Sequence, residues 1–196
     1  MKRLLIVPTM AEAELLFDAL RKRPEASAPF PLLKEGNTFI AVSGAGKVNA
    51  ACCTCYLLSR LEVKEVWVAG IGGAYPGSGL HIGDVLVAEK EVYGDESFEP
   101  REFPMHVPRW GTESGVFVTL SVLPRSQEEA GLLEKRFRAK VENMEGAAVA
   151  HAASLFGVKV TEIRAISNTA GVRDKKLWNI PLALERLWSF LLEKLA

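Results

Sequence analysis

Short apolar runs, each followed by a helical or glycine-rich stretch, constrain this chain more than any other feature of its sequence. Residues 3–7 (RLLIV), 38–43 (TFIAVS), 65–71 (EVWVAGI), 84–92 (DVLVAEKEV), 115–122 (GVFVTLSV) and 158–167 (VKVTEIRAIS) read as strands. Residues 11–22 read as an amphipathic helix with Leu15, Leu16 and Leu20 on one side. Further helices are predicted near 47–60 and 126–138, and over the Ala-rich part of VENMEGAAVAHAA, which follows a short strand. A last helix over 180–195 lines up Ile180, Leu184, Leu187, Leu191 and Leu195. Alternation of this kind, with strands apolar on both faces, predicts an α/β sandwich around a largely parallel sheet. Such sheets take ligands at the carboxyl ends of their strands, so function is to be sought in the loops after residues 7, 43, 71, 122, 144 and 167. No repeat, low-complexity tract or domain-sized linker interrupts the pattern, and one domain over residues 1–196 is expected. The stretch 93–114, with Pro100, Pro104, Pro108 and Gly111, is the most loop-like.

Composition narrows the partners. With 48% hydrophobic and 24% charged residues, the chain has the balance of a globular protein rather than a disordered one. Its 24 basic residues match 24 acidic ones, which argues against nucleic-acid binding by counterion release. No run approaches the ~18 apolar residues of a membrane span, and the first strand lacks a signal-peptide cleavage pattern; a cytoplasmic protein without a membrane partner is expected. Cys52, Cys53 and Cys55 cluster in one predicted helix, an odd number that suits no disulfide framework. Cys52 and Cys55 have C-x-x-C spacing, but there is no second pair and His81, His106 and His151 are scattered. Buried helix cysteines are therefore expected, with no metal site.

The glycine-rich segments carry the next constraint. SGAGKVN (43–49) suggests a phosphate loop, but a Walker A sequence also needs glycine at 41 and Ser or Thr at 48, where Ala41 and Val48 stand. The dinucleotide fingerprint fails at Asn49, the place of its third glycine. Gly70, Gly72 and Gly73 fit either a backbone that a ligand approaches closely or a tight turn under a helix.

Three polar residues fall at predicted strand ends: Glu12, Glu145 and Asn168. Each has a local explanation. Thr9-x-x-Glu12 is a capping box, Glu145 favours the positive end of its helix, and Ser167 with Asn168 suits a turn. Together, two acids and an amide at sheet ends describe a polar pocket. With no G-x-S-x-G elbow or H-E-x-x-H present, such a trio suits cleavage of a glycosidic bond, as one option among several.

At these residues the sequence resembles the nucleoside phosphorylase/nucleosidase superfamily, and within it the futalosine hydrolase branch. The matching pieces are Thr9-x-x-Glu12-Ala13, SGAGKVNAA (43–51), GIGGA (70–74), IGDVLVAE (82–89), VENMEGAA (141–148) and RAISN (164–168), the last continued by VRDKKLWNIPLAL (172–184). The M-E-G-A-A and R-x-I-S-[DN] elements mark the superfamily; Asn168 and the Arg173-Asp174…Trp178 continuation look like the branch. The glycine turn departs from the G-x-A-G-G of many relatives. The resemblance implies a three-layer α/β sandwich with a central twisted mixed β-sheet flanked by helices, a homo-oligomer, and no metal or organic cofactor. It implies hydrolysis of futalosine to hypoxanthine and the dehypoxanthinyl sugar, a step in one route to menaquinone.

Carried over by position, Glu12 activates the attacking water and Glu145 binds the ribose hydroxyls and faces the cationic sugar. Asn168 then hydrogen-bonds the purine near N7 and O6. The implied substrate-binding set is Gly72, Gly73, Asn143, Met144 and Ser167, with Thr119, Leu120 and Ser121 expected to line the base. Arg173 fits the substrate carboxylate, or else a surface ion pair with Asp174. In related methylthioadenosine/S-adenosylhomocysteine nucleosidases an Asp usually holds the place of Asn168. An amide cannot protonate N7 at neutral pH, but its NH2 meets the O6 acceptor that an ionised Asp repels. Phosphorolysis of a purine nucleoside, hydrolysis of inosine or methylthioadenosine, and a non-catalytic nucleoside-binding module are the competing readings.

Overall fold

The computed structural model describes residues 2–25, 29–99 and 101–195; Pro100 of the loop-like stretch lies outside them. Strand β1 (Arg3–Val7) buries Leu4 and Ile6 on one face and Leu5 and Val7 on the other. That two-sided burial is what a strand between two helical layers requires. The chain continues as α1 (Met10–Leu20), β2 (Leu32–Glu35), β3 (Thr38–Val42), α2 (Lys47–Leu58), β4 (Glu65–Ala74), β5 (Val85–Tyr93) and β6 (Glu102–Pro104). It closes with β7 (Glu113–Thr119), α3 (Gln127–Phe137), β8 (Ala139–Asn143), α4 (Gly146–Ser154), β9 (Lys159–Thr169), a 3-10 turn (Lys175–Leu177) and α5 (Ile180–Leu195).

The strands form one mixed sheet in the order β2-β3-β1-β4-β8-β7-β5-β6, with β9 pairing both β4 and β5. Because β4 joins β8, β8 joins β7, β7 joins β5, and β9 links β5 back to β4, this half of the sheet closes on itself. Antiparallel pairs are thus more prominent than the alternation of elements predicted, and they fall at the ring and at the outer strands β2 and β6. Helices α2 and α4 cover one face, over Leu4, Ile6, Val66, Val68 and Phe117. Helices α1 and α5 cover the other, and α5 sets Ala183, Leu184, Leu187, Trp188 and Leu191 into it at helical spacing. The result is a three-layer sandwich.

Several local expectations change. Leu15 is exposed, and the buried face of α1 is formed by Glu12, Ala13, Leu16 and Phe17 instead. On α5, Ile180 lies at the surface. Only Cys53 is buried; Cys52 is exposed and Cys55 half-buried. The loop-like stretch contains β6, whose three residues are too few to show a period. Strand β4 does not stop at its glycines, and β9 carries Ser167 and Asn168 inside a strand rather than a turn.

One consequence of the topology positions everything that follows. Along one edge β4 pairs with β9 throughout, from Glu65 to Ala74. Along the other it pairs with β1 over residues 65–68 and with β8 only at Gly73 and Ala74. Residues 69–72 lie between these partners, so a gap opens where β1 ends and β8 has not yet joined. Buried backbone groups must find partners, and here only side chains can supply them.

Candidate active site

Ile71 faces the gap. Its N–H donates to Glu12 Oε1 at 3.0 Å, and its carbonyl accepts from Arg164 Nη1 at 3.2 Å. The second oxygen of Glu12 accepts from the Thr9 hydroxyl at 2.7 Å. The capping box is thus half realised. Thr9 accepts from the Glu12 N–H at 3.2 Å, but the Glu12 carboxylate turns to Ile71 instead of back to the Thr9 amide. Burial raises the Glu12 carboxyl above the ordinary glutamate range, against the opposing pull of the Ile71 N–H, the Thr9 hydroxyl and Arg164. Such a carboxylate is a stronger base than one in water.

Arg164 organises the centre of the gap. Its guanidinium is 1% exposed and donates to Glu162 Oε1 (2.7 Å), Glu145 Oε2 (3.2 Å), Asn143 Oδ1 (3.2 Å) and the Ile71 carbonyl. The other oxygen of Glu145 accepts from the Gly46 N–H at 2.9 Å. Gly44 and Gly46 have φ of +87° and +90°, a conformation that brings the start of α2 against Glu145 and that side chains with a Cβ rarely adopt. Asn143 accepts from the N–H groups of Glu145 and Gly146 at 2.9 and 2.8 Å, which sets the entry angle of α4. Behind it, Thr119 donates to Glu91 at 2.8 Å and accepts from the Ala147 N–H at 2.8 Å. Burial and the adjacent Glu162 push the Glu91 carboxyl well above the ordinary glutamate range. A methyl group on Gly146 would strike the carboxylates of both Glu91 and Glu162, which is why the M-E-G segment needs glycine there.

A cleft of about 280 Å³ occupies the gap, near the lower end of the ~300–1,000 Å³ usual for small-ligand sites. Glu12, Glu145, Asn168 and Glu142 all line it together with Ile71, Gly72 and Gly73; Glu12 lies against Gly70, and Glu142 and Asn168 lie against Gly73. Ser167 donates to Asn168 Oδ1 at 2.7 Å, and Asn168 Nδ2 donates to the Thr169 carbonyl at 3.0 Å. Since that carbonyl can only accept, the amide orientation is determined and one further N–H of Asn168 remains for a ligand.

The structure brings Glu12, Glu145, Asn168, Gly72, Gly73, Asn143, Met144 and Ser167 together around this cleft. It does not bring Thr119, Leu120, Ser121 or Arg173 into its wall. Thr119 is buried behind the cleft, and Leu120 packs into a third core cluster with Tyr75, Val118 and Ala130. Ser121 is exposed, its N–H held by Asp95. Leu123, two residues further on, takes the place at the wall. Arg173 is exposed and borders an open hollow with Ser121, Arg125, Leu123 and Met144; the last two also line the cleft, so the hollow continues it.

The sequence reading missed Glu142 and Trp178 as wall residues, and Arg164 as the organising cation. One signal was available. Glu162 and Arg164 stand at alternate positions of an otherwise apolar strand and must share a face, where buried charge demands partners.

Fold and cleft together point to a class that comparison with known proteins bears out: the family model described as the phosphorylase superfamily matches residues 5–111 and 110–195. The futalosine hydrolase of Thermus thermophilus is 34% identical, over 94% of this chain and 91% of its own length. That of Acidothermus cellulolyticus is 30% identical, over 95% and 87%. Among solved structures, a futalosine hydrolase mutant of Helicobacter pylori superposes with a TM-score of 0.86 at 22% identity, covering 100% of this chain and 99% of that one. A 5′-methylthioadenosine/S-adenosylhomocysteine nucleosidase from Colwellia psychrerythraea in complex with adenine gives 0.86 at 23% identity, covering 100% and 94%. The chain belongs to the futalosine hydrolase family of the phosphorylase superfamily.

Proposed function

We propose that this protein hydrolyses the N-glycosidic bond of futalosine, releasing hypoxanthine and dehypoxanthinylfutalosine on the futalosine route to menaquinone. It is a nucleosidase, an N-glycosyl hydrolase, as its family relatives support. Glu12 takes a proton from the water that attacks the anomeric carbon. Its raised basicity and the Ile71 and Thr9 hydrogen bonds suit a base held in one orientation. Glu145, fixed by Arg164 and the Gly46 N–H, accepts from the ribose hydroxyls and stabilises the oxocarbenium-like sugar. The remaining N–H of Asn168 meets O6 of a 6-oxopurine.

Water rather than phosphate is the acceptor, and one observation carries this choice. Lys47, the cation at the glycine-rich loop, is engaged by both Asp95 and Glu96, and the Gly46 N–H at the helix start is taken by Glu145. The positions where an anion would be captured are occupied by the chain's own carboxylates. Reading Arg173 as the partner of the substrate carboxylate agrees with the hollow that extends the cleft. A homo-oligomer in the cytoplasm belongs to the same reading; among the described residues no helix is long and apolar enough to cross a membrane. Initial rates on futalosine, inosine and methylthioadenosine test the substrate. The highest kcat/KM is expected for futalosine, and a methylthioadenosine-first ranking would replace this reading with a 6-aminopurine nucleosidase.

A further inference from the structure

A purine leaves a sugar far more readily when N7 is protonated, because the electron pair arriving at N9 is then neutralised within the ring. Asn168 has no proton to give at neutral pH. Of the acids in the cleft, Glu145 is tied as a carboxylate to Arg164 and the Gly46 N–H, and Glu12, held by the Ile71 N–H, is the proposed base. Glu142 is different. It is 2% exposed, its Oε2 has no hydrogen-bond partner among the described residues, and it lines the cleft beside Asn168.

Its position follows from strand register. Glu142 lies opposite Gly73 in the antiparallel β4–β8 pair, where the missing side chain leaves it room. The point a Cβ of Gly73 would occupy is 3.0 Å from Glu142 Oε1 and 3.2 Å from Asn168 Nδ2. The equivalent point at Gly70 is 2.8 Å from Glu12 Oε1. Glu12 and Glu142 thus stand against two glycines of the same strand, and both line the cleft.

We propose that Glu142 is the general acid of this enzyme, donating its proton to N7 of the purine; this rests on the hydrolytic reading above. As the C1′–N9 bond breaks, its electron pair passes to N9 and the Glu142 O–H proton goes to N7. The water oxygen bonds to C1′, its proton goes to Glu12, and the purine departs neutral. Proton exchange with solvent then resets both carboxyl groups. The charge state at neutral pH agrees. Burial pushes the Glu142 carboxyl up to about 8 against the attraction of Arg173, beyond β9. The other titratable group facing it, Tyr75 after β4, is itself pushed up and stays neutral.

The test compares Glu142→Gln with the intact chain on two leaving groups, using the purine nucleoside that the intact chain cleaves fastest and p-nitrophenyl riboside, whose phenolate leaves without a proton. Loss of a general acid predicts about a 10²- to 10⁴-fold fall in kcat on the nucleoside. The fall on p-nitrophenyl riboside should be under about tenfold, which also reports that the variant folds. The alkaline limb of kcat against pH, near 8 in the intact chain, should vanish in the variant. Equal losses on both substrates, or no loss on the nucleoside, would overturn the proposal. Failure on futalosine alone would refute the substrate assignment and leave this comparison standing; failure on every purine nucleoside would refute both.

Discussion

Gly70 offers the sharpest probe of how Glu12, the proposed water-activating base, is held. A methyl group there would lie 2.8 Å from Arg164 Nη1, 2.8 Å from Glu12 Oε1 and 3.1 Å from Pro8 Cδ. All three are closer than an ordinary van der Waals contact, so something must move. The proline ring is rigid, and Arg164 is anchored by hydrogen bonds to Glu162, Glu145, Asn143 and Ile71. Glu12 Oε1 has one bond to lose, that from the Ile71 N–H. Gly70→Ala should therefore displace Glu12, losing a charge-assisted hydrogen bond worth about 1.5–3 kcal/mol. A base misplaced by about 1 Å can cost on the order of 10²-fold, so kcat should fall by about that factor with a smaller change in KM. Overpacking should also lower stability by about 1–3 kcal/mol, or about 2–4 °C in Tm per kcal/mol for a chain of this size. Gly131→Ala on α3, where an added methyl meets nothing, is the control; it should keep full activity and gain about 0.4–1 kcal/mol. Steady-state kinetics on a purine nucleoside and thermal unfolding read both quantities. If Gly70→Ala kept kcat within threefold of the parent, the idea that Glu12 must be held at Ile71 would be wrong.

Three further outcomes are expected. Asn168→Asp places a carboxylate at the proposed contact to O6, so the ratio of kcat/KM for inosine to that for adenosine should fall at least about tenfold, or 1.4 kcal/mol; an unchanged ratio defeats the role of the amide. Arg173→Ala should raise KM for futalosine by roughly threefold to tenfold and leave inosine nearly unaffected, since the side chain is exposed and its ion pair is screened. Equal effects on both substrates would reject carboxylate binding, and the alkaline limb should move upward as Glu142 loses its cationic neighbour. The pH dependence of stability gives the third. Glu142 is raised from 4.5 unfolded to about 8 folded, so its contribution is complete below pH 4.5 and is lost as pH rises towards 8. Glu142→Gln should gain stability relative to the parent across that window, by up to roughly 1.4 kcal/mol per pH unit, in denaturant titrations; parallel curves would mean that the carboxyl is not held protonated.

Much of this molecule is legible in its sequence because strands apolar on both faces leave little choice of layer. RLLIV cannot sit at a surface, and the α5 pattern has one face that must be covered. Glu12, Glu145 and Asn168 are legible because strand ends meet at one side of such a sheet. The closure of the sheet through β9 is not, since it depends on β5 pairing with a strand remote in sequence. The gap in β4, created by the change of partner from β1 to β8, is hidden for the same reason. Thr119 to Ser121 were misplaced because strand β7 ends at Thr119 and the chain reaches the cleft only at Leu123. Glu142 is not legible as a cleft residue because nothing local shows that it lies opposite a glycine.

The central claim is that water, activated by Glu12, cleaves futalosine at its purine. The direct measurement is free hypoxanthine, resolved by chromatography, after incubation of the protein with futalosine in phosphate-free buffer and again with phosphate added. Stoichiometric hypoxanthine and free dehypoxanthinylfutalosine, at a rate indifferent to phosphate, is the predicted result. Hypoxanthine that appears only with phosphate, alongside a sugar 1-phosphate, or no hypoxanthine in either buffer, would contradict it.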